Sequence, residues 1–139
     1  MSFVLDSSMT LAWVYSEQVT PETHEVYARL AEDGAWVPGL WRLVVANVLE
    51  MGVREGRNHA AFRDQTLSDL AEWPVKTDRE TDRRAWSSIL RLAVEHRLTL
   101  YDAAYLELAV RRGIALATLD RDLRRTARQQ GVALLGNES

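Results

Sequence analysis

Asp6 closes the apolar run SFVL, Asp120 closes IALATL, and Asp102 sits in LTLYDAAYLELA near the start of a helical pattern. Two carboxylates 4 Å apart repel by about 4 kcal/mol at an effective dielectric near 20. A whole domain is stable by only about 5–15 kcal/mol. Three acids drawn together must therefore hold a proton or a cation. The chain has no cysteine and three histidines. Its ligands for an ion are oxygens, which points to Mg2+ or Mn2+. A hard ion with open water positions suits hydrolysis of a phosphodiester. Taken singly, Asp6 and Asp120 also read as plain helix caps. Asp102, three residues after Thr99, reads as part of a capping box.

These acids need elements to carry them. Short apolar runs at 2–5, 35–38, 74–77, 114–119 and 132–135 alternate with helical patterns. Thr20 and Pro21 open one helix, and Gly34 closes it. Residues 40–55 form an apolar helix stopped near Gly56, and Asn58 is the expected cap of the next, with Phe62, Leu67, Leu70 and Ala71 inward. Residues 78–97 and 99–113 follow as helices, and 120–131 as the last. The alternation predicts an α/β domain over 1–139, with a mostly parallel sheet covered on both faces. Ligands of such sheets sit beyond the carboxyl ends of the strands, where Asp6 and Asp120 lie.

Composition sets further bounds. With 139 residues, 47% of them hydrophobic, the chain can bury a core without staples. The absence of cysteine fits a reducing, cytoplasmic setting. The start MSFVLDSS lacks the features of a signal peptide, and no run reaches the roughly 18–20 apolar residues of a membrane span. A net charge of −3 gives no global argument for nucleic acid. The cations are nevertheless almost all Arg, with Lys76 the single lysine, and Arg suits bidentate phosphate contacts.

The stretches FVLDSS, LTLYDAAYLELA and LATLDRDL, in this order along nearly the whole chain, resemble the PIN-domain family. More narrowly they resemble its VapC-type toxins, the ribonucleases of toxin–antitoxin pairs. The resemblance implies a three-layer α/β/α fold and a Mg2+-dependent endoribonuclease. Asp6, Asp102 and Asp120 match its motif acids, which hold the metal. Ser8 matches the small hydroxyl after the first acid, and Thr118 the hydroxyl that steadies the last. Asp122 is a supporting acid or a first-turn helix acid. The resemblance also implies an RNA substrate, a cognate antitoxin and a homodimer.

One position departs from the pattern. The family's helix reads like EVANVL, with a Glu that completes the metal site; here it reads VVANVL, with Val44 in that place and Asn47 retained. Asn47 lies three residues on, so it is expected to aim its amide at the acids. Glu50, six residues from Val44, falls on another side of the helix and is no substitute. Arg121, Arg124, Arg125 and Arg128 form a stripe beside Asp120 that suits a phosphate backbone, and Arg42 is a second candidate near the mouth. The competing reading is a PIN domain that binds RNA or an antitoxin without cutting efficiently, because Val44 removes an acid. A haloacid-dehalogenase phosphatase needs an acid where Ser8 stands, and a receiver domain needs a late lysine that the chain lacks.

Overall fold

Each strand of the molecule is short, so the sheet depends on its helices for cover. The computed structural model describes residues 1–136. The strands are β1 (Phe3–Leu5), β2 (Ala35–Val37), β3 (Val75–Thr77), β4 (Ala115–Ala117) and β5 (Leu134–Leu135). The helices are α1 (Ser7–Val14), α2 (Pro21–Asp33), α3 (Trp41–Arg54), α4 (Ala60–Leu70), α5 (Thr81–Arg84), α6 (Leu90–His96), α7 (Leu100–Arg112) and α8 (Arg121–Gln129). All strand pairings are parallel, in the order β3-β2-β1-β4-β5. Successive residues of a strand face opposite sides, yet all of Phe3, Val4 and Leu5 are buried. Both faces of β1 are therefore covered, as in a three-layer α/β/α sandwich.

The helix ends follow local chemistry. The Thr20 hydroxyl accepts the Thr23 amide, and the Thr23 hydroxyl accepts the Thr20 amide, closing a capping box before Pro21. At the end of α3, the Arg57 amide donates to the Gly52 carbonyl at 2.8 Å and the Gly56 amide to Val53 at 3.2 Å. Gly56 has φ +78°. This is a Schellman turn, and it needs a residue without a Cβ at Gly56.

The topology chooses where a ligand can sit. From β1 the chain moves outward to β2 and β3, then returns to the other side of β1 as β4 and β5. Connections leave β1 and β4 in opposite directions, which opens a crevice at their carboxyl ends. Asp6 and Thr118 follow directly on these two strands. The Asp6 amide donates to the Ala117 carbonyl at 3.0 Å, so the two strand exits are tied together. The Trp41 indole donates to the Thr10 hydroxyl at 3.0 Å, and that hydroxyl donates to the Asp6 carbonyl at 3.2 Å. The start of α3 is thereby fixed to the same corner.

Three local expectations are corrected. His59, not Asn58, stands at the start of α4. The Asn58 side chain instead accepts the Tyr15 hydroxyl at 2.8 Å and donates to the Leu49 carbonyl at 3.3 Å. Of the apolar residues expected to face inward from α4, Leu70 is buried, while Phe62 and Ala71 are exposed. The long helix after residue 78 is interrupted by a π-helical turn over Ala85–Ile89. That turn shifts the helical phase and leaves Trp86 at 92% exposure. Among the described residues no helix is long and apolar enough to cross a membrane.

Candidate active site at the carboxyl edge of the sheet

Asp6 opens α1 but does not cap it: its side chain makes no bond to the first-turn amides. Its carboxylate is used elsewhere. The Ser8 and Thr118 hydroxyls each donate to Asp6 Oδ2 at 2.6 Å. Each hydroxyl also accepts a backbone amide, Leu119 N–H on Ser8 at 2.9 Å and Asp120 N–H on Thr118 at 3.1 Å. A hydroxyl has one proton to give. Both protons go to Asp6, so the 3.3 Å approach of Ser8 to Thr118 is not a further bond. Oδ2 is thus held firmly as an acceptor. Among the described residues Oδ1 has no such short bond: the Ser7 hydroxyl approaches it at 3.4 Å, and the Ser7 amide eases the carboxylate's charge.

Asp120 does cap its helix. Its Oδ1 accepts the Leu123 amide at 2.9 Å, which leaves Oδ2 without a bond among the described residues. Asp102 lies in the first turn of α7, where its amide donates to the Thr99 hydroxyl at 3.1 Å. Only that half of a capping box is formed.

The three carboxylates share one field. Burial pushes the Asp6 carboxyl above its usual range against the hydroxyls of Ser8 and Thr118, and Asp120 pushes it further. Asp102 is held up to about 6, first by burial, then by Asp120, then by Asp6. Such mutual opposition is relieved by a cation, and the donor set is all oxygen, which fits a hard divalent ion. Among the described residues no three His, Cys, Asp or Glu side chains form a ready-made ligand shell. Asp6 and Asp120 each commit one oxygen to the protein. The oxygens left are Asp6 Oδ1, Asp120 Oδ2 and the Asp102 carboxylate. An ion that keeps several waters, as Mg2+ does, suits this open set.

Asp102 makes a pH test available. The unfolded chain releases this proton near 3.8 and the folded chain near 6. Between those values the folded state binds more protons, so stability falls as pH rises, and above 6 the whole penalty is present. Asp102→Asn is therefore expected to stabilise the metal-free protein at pH 7.5 by roughly 1–2 kcal/mol, allowing for solvent at a half-buried group. At pH 4 the gain should vanish. Thermal melts in a chelator across this range check it; equal gains at both ends would contradict the assignment.

The remaining predicted residues divide. Asp122 is exposed, pairs with Arg125 at 2.9 Å and adds to the field at Asp102. Arg121 and Arg125 are exposed on α8, and Arg42 is exposed over the Trp41 ring. Arg124 departs from the expected phosphate-facing stripe. It is buried, and its Nη1 donates to the Thr118 carbonyl at 2.8 Å and the Leu135 carbonyl at 3.2 Å. Its place between the buried Leu123 and Thr126 explains this, and its work is to tie α8 to the ends of β4 and β5. Asn47 is also corrected. It is exposed one turn after the exposed Leu43, and among the described residues its amide makes no bond to a carboxylate. Glu50 pairs with Arg63 at 2.7 Å and Arg54 at 2.9 Å, turned to other partners as its spacing implied.

Two residues at the site were not singled out from the sequence. The Tyr105 hydroxyl is buried near Asp6 and Asp102, kept protonated first by burial and then by the charge of Asp6. It completes no hydrogen bond among the described residues. Its position in YDAAYLELA was the available signal. Arg57 lines a cleft with Ser8, Leu119 and Asp120, and nothing local in the sequence marks it.

Comparison with known proteins bears on the family and the fold. The family described as PIN domain matches residues 3–129. Among solved structures, the crystal structure of PAE2754 from Pyrobaculum aerophilum is similar at 26% sequence identity with a TM-score of 0.69. The match covers 96% of this chain and 83% of that one. Comparison with the curated proteins gives no match.

Proposed function

The chain belongs to the PIN-domain family, whose members are generally nucleases, and from that premise we propose that it is a divalent-metal-dependent endoribonuclease acting as the toxin of a toxin–antitoxin pair. The observation that carries the chemistry is the bonding at the β1–β4 crevice. There, Ser8 and Thr118 clamp one oxygen of Asp6 and leave the other available beside Asp102 and Asp120.

In this reading Asp6, Asp102 and Asp120 would hold Mg2+ or Mn2+. When bound, the ion offsets negative charge on the phosphate and makes water more acidic. The chain's own residues do the rest. Thr118 and Ser8 keep Asp6 from turning, and the backbone amides they accept keep the β4 exit in register with it. Asp102, outside the Ser8–Thr118 clamp on Asp6, is in this reading the carboxylate that takes up a proton from water at the site. Tyr105 supplies a neutral donor at the edge of the site. The pairing with an antitoxin, and a homodimer, rest on the VapC-type likeness of FVLDSS, YDAAYLELA and TLDRDL.

A second reading has one observation in its favour. Val44 stands where the family places an acid, and it lies one turn before Val48, which lines the cleft with Ser8 and Asp120. The protein then binds RNA or an antitoxin without cutting efficiently. Incubating the purified chain with single-stranded RNA in Mn2+, Mg2+ or chelator separates the two. Cutting that the chelator stops supports the enzyme. Intact RNA under every condition, with cutting gained by Val44→Glu, supports the second reading.

A further inference from the structure

An acidic site repels the strand it must cut, so a cation has to meet RNA beside it. The α8 stripe is weaker than its sequence suggests, because Arg124 is buried and turned to backbone carbonyls. Arg57 is placed better. It lines a cleft of about 320 Å³ together with Ser8, Leu11, Tyr15, Val48 and Asp120. It also lines a neighbouring cleft of about 300 Å³ with Asn58, His59 and Phe62, and so stands between the two.

Its placement is built by the fold. The Schellman turn at Gly56 directs the chain back, and the Arg57 guanidinium carbon lies 3.6 Å from the Tyr15 ring centroid. Tyr15 is buried, with its hydroxyl donated to Asn58. Gly52 lets this happen: a Cβ there would collide with the Asn58 side chain and come within 3.1 Å of the Tyr15 hydroxyl. Stacking holds the guanidinium plane while leaving its edge free. One nitrogen, Nη2, is paired with Glu17 at 3.1 Å. Among the described residues Nε and Nη1 have no hydrogen-bond partner.

We propose that Arg57, stacked on Tyr15, binds a phosphate of the RNA strand adjacent to the one cut. The cleft between Arg57 and Asp120 is then the subsite for the intervening nucleotide. Leu11 and Val48 give it an apolar wall, and Gln18 adds a polar group able to meet a base edge or ribose. The inference rests on the nuclease reading and adds to it the direction in which the strand leaves the carboxylates. Glu17 holds the guanidinium until a phosphate takes its place, which costs little because that pair is exposed.

Binding of a fluorescein-labelled single-stranded RNA, read by anisotropy in an Asp6→Asn background that does not cut, tests this. Arg57→Ala is expected to weaken binding about 5- to 20-fold and to reduce the slope of log affinity against log salt by about 0.7, the value for one phosphate on a single strand. Arg57→Lys should restore the slope, and Arg54→Ala, at the last residue of α3 but paired with Glu50, should leave both readings unchanged. Weaker binding with an unaltered slope would mean that Arg57 only supports Tyr15, and would overturn the proposal. Unchanged affinity and slope in Arg57→Ala, while the wild type cuts RNA, would sink this inference and leave the nuclease reading standing. A chain that neither cuts nor binds RNA would remove both.

Discussion

Asp6→Asn is expected to fold normally and to lose RNA cleavage by about a hundred- to a thousand-fold, the scale of losing one source of electrostatic stabilisation at a reacting centre. The reason is atomic. Two hydroxyls donate to Asp6 Oδ2, so the substituted amide must place its oxygen there. Its NH2 then falls at the position of Oδ1, and a donor cannot hold a cation. Stability should be equal or higher, because burial penalises the wild-type carboxylate. Gel-resolved cleavage rates beside thermal melts check both halves. A folded Asp6→Asn protein that cuts within ten-fold of wild type would contradict the role given to this residue.

The second large effect runs the other way. Val44→Glu is expected to tighten Mn2+ binding by about ten-fold or more, since a further carboxylate about 4 Å from the ion attracts it by several kcal/mol at an effective dielectric near 20, more than the repulsion it meets from the other acids. Without metal the same change should cost stability, because it adds a fourth negative charge to carboxyls that already raise one another. A melting temperature lower than wild type in chelator and higher in Mn2+ is the expected signature, alongside calorimetric affinity. The geometry behind it is the helical repeat: Val44 precedes by one turn Val48, which shares a cleft with Ser8 and Asp120. Equal metal affinity in the two proteins would show that position 44 does not face the acids.

The parts of the fold and site that were legible are those written locally. An apolar run followed by an acid gave β1–Asp6 and β4–Asp120, and Thr20-Pro21 gave the start of α2. The three motifs marked Ser8 and Thr118, but Thr118, expected to steady Asp120, gives its proton to Asp6 and only accepts the Asp120 amide. What failed depended on contacts distant in the chain. Arg124 was read from charge periodicity alone, but the packing of Leu123, Thr126 and Ala127 turns it inward to carbonyls of the β4 exit and β5. Asn58 has the chemistry of a cap, yet Tyr15 claims its side chain. Asn47 was inferred from the helix face of position 44, and it stands exposed there with no bond to a carboxylate among the described residues. Arg57 was invisible because its meaning comes from stacking on Tyr15, a partner in another helix's wake.

Titration of Mn2+ into the chain by calorimetry reaches the core of the account most directly. Saturable uptake of a single ion per chain is predicted for the wild type, lost in both Asp6→Asn and Asp120→Asn. Absence of heat in the wild type, or uptake that survives both substitutions, would contradict a shared cation at the β1–β4 crevice.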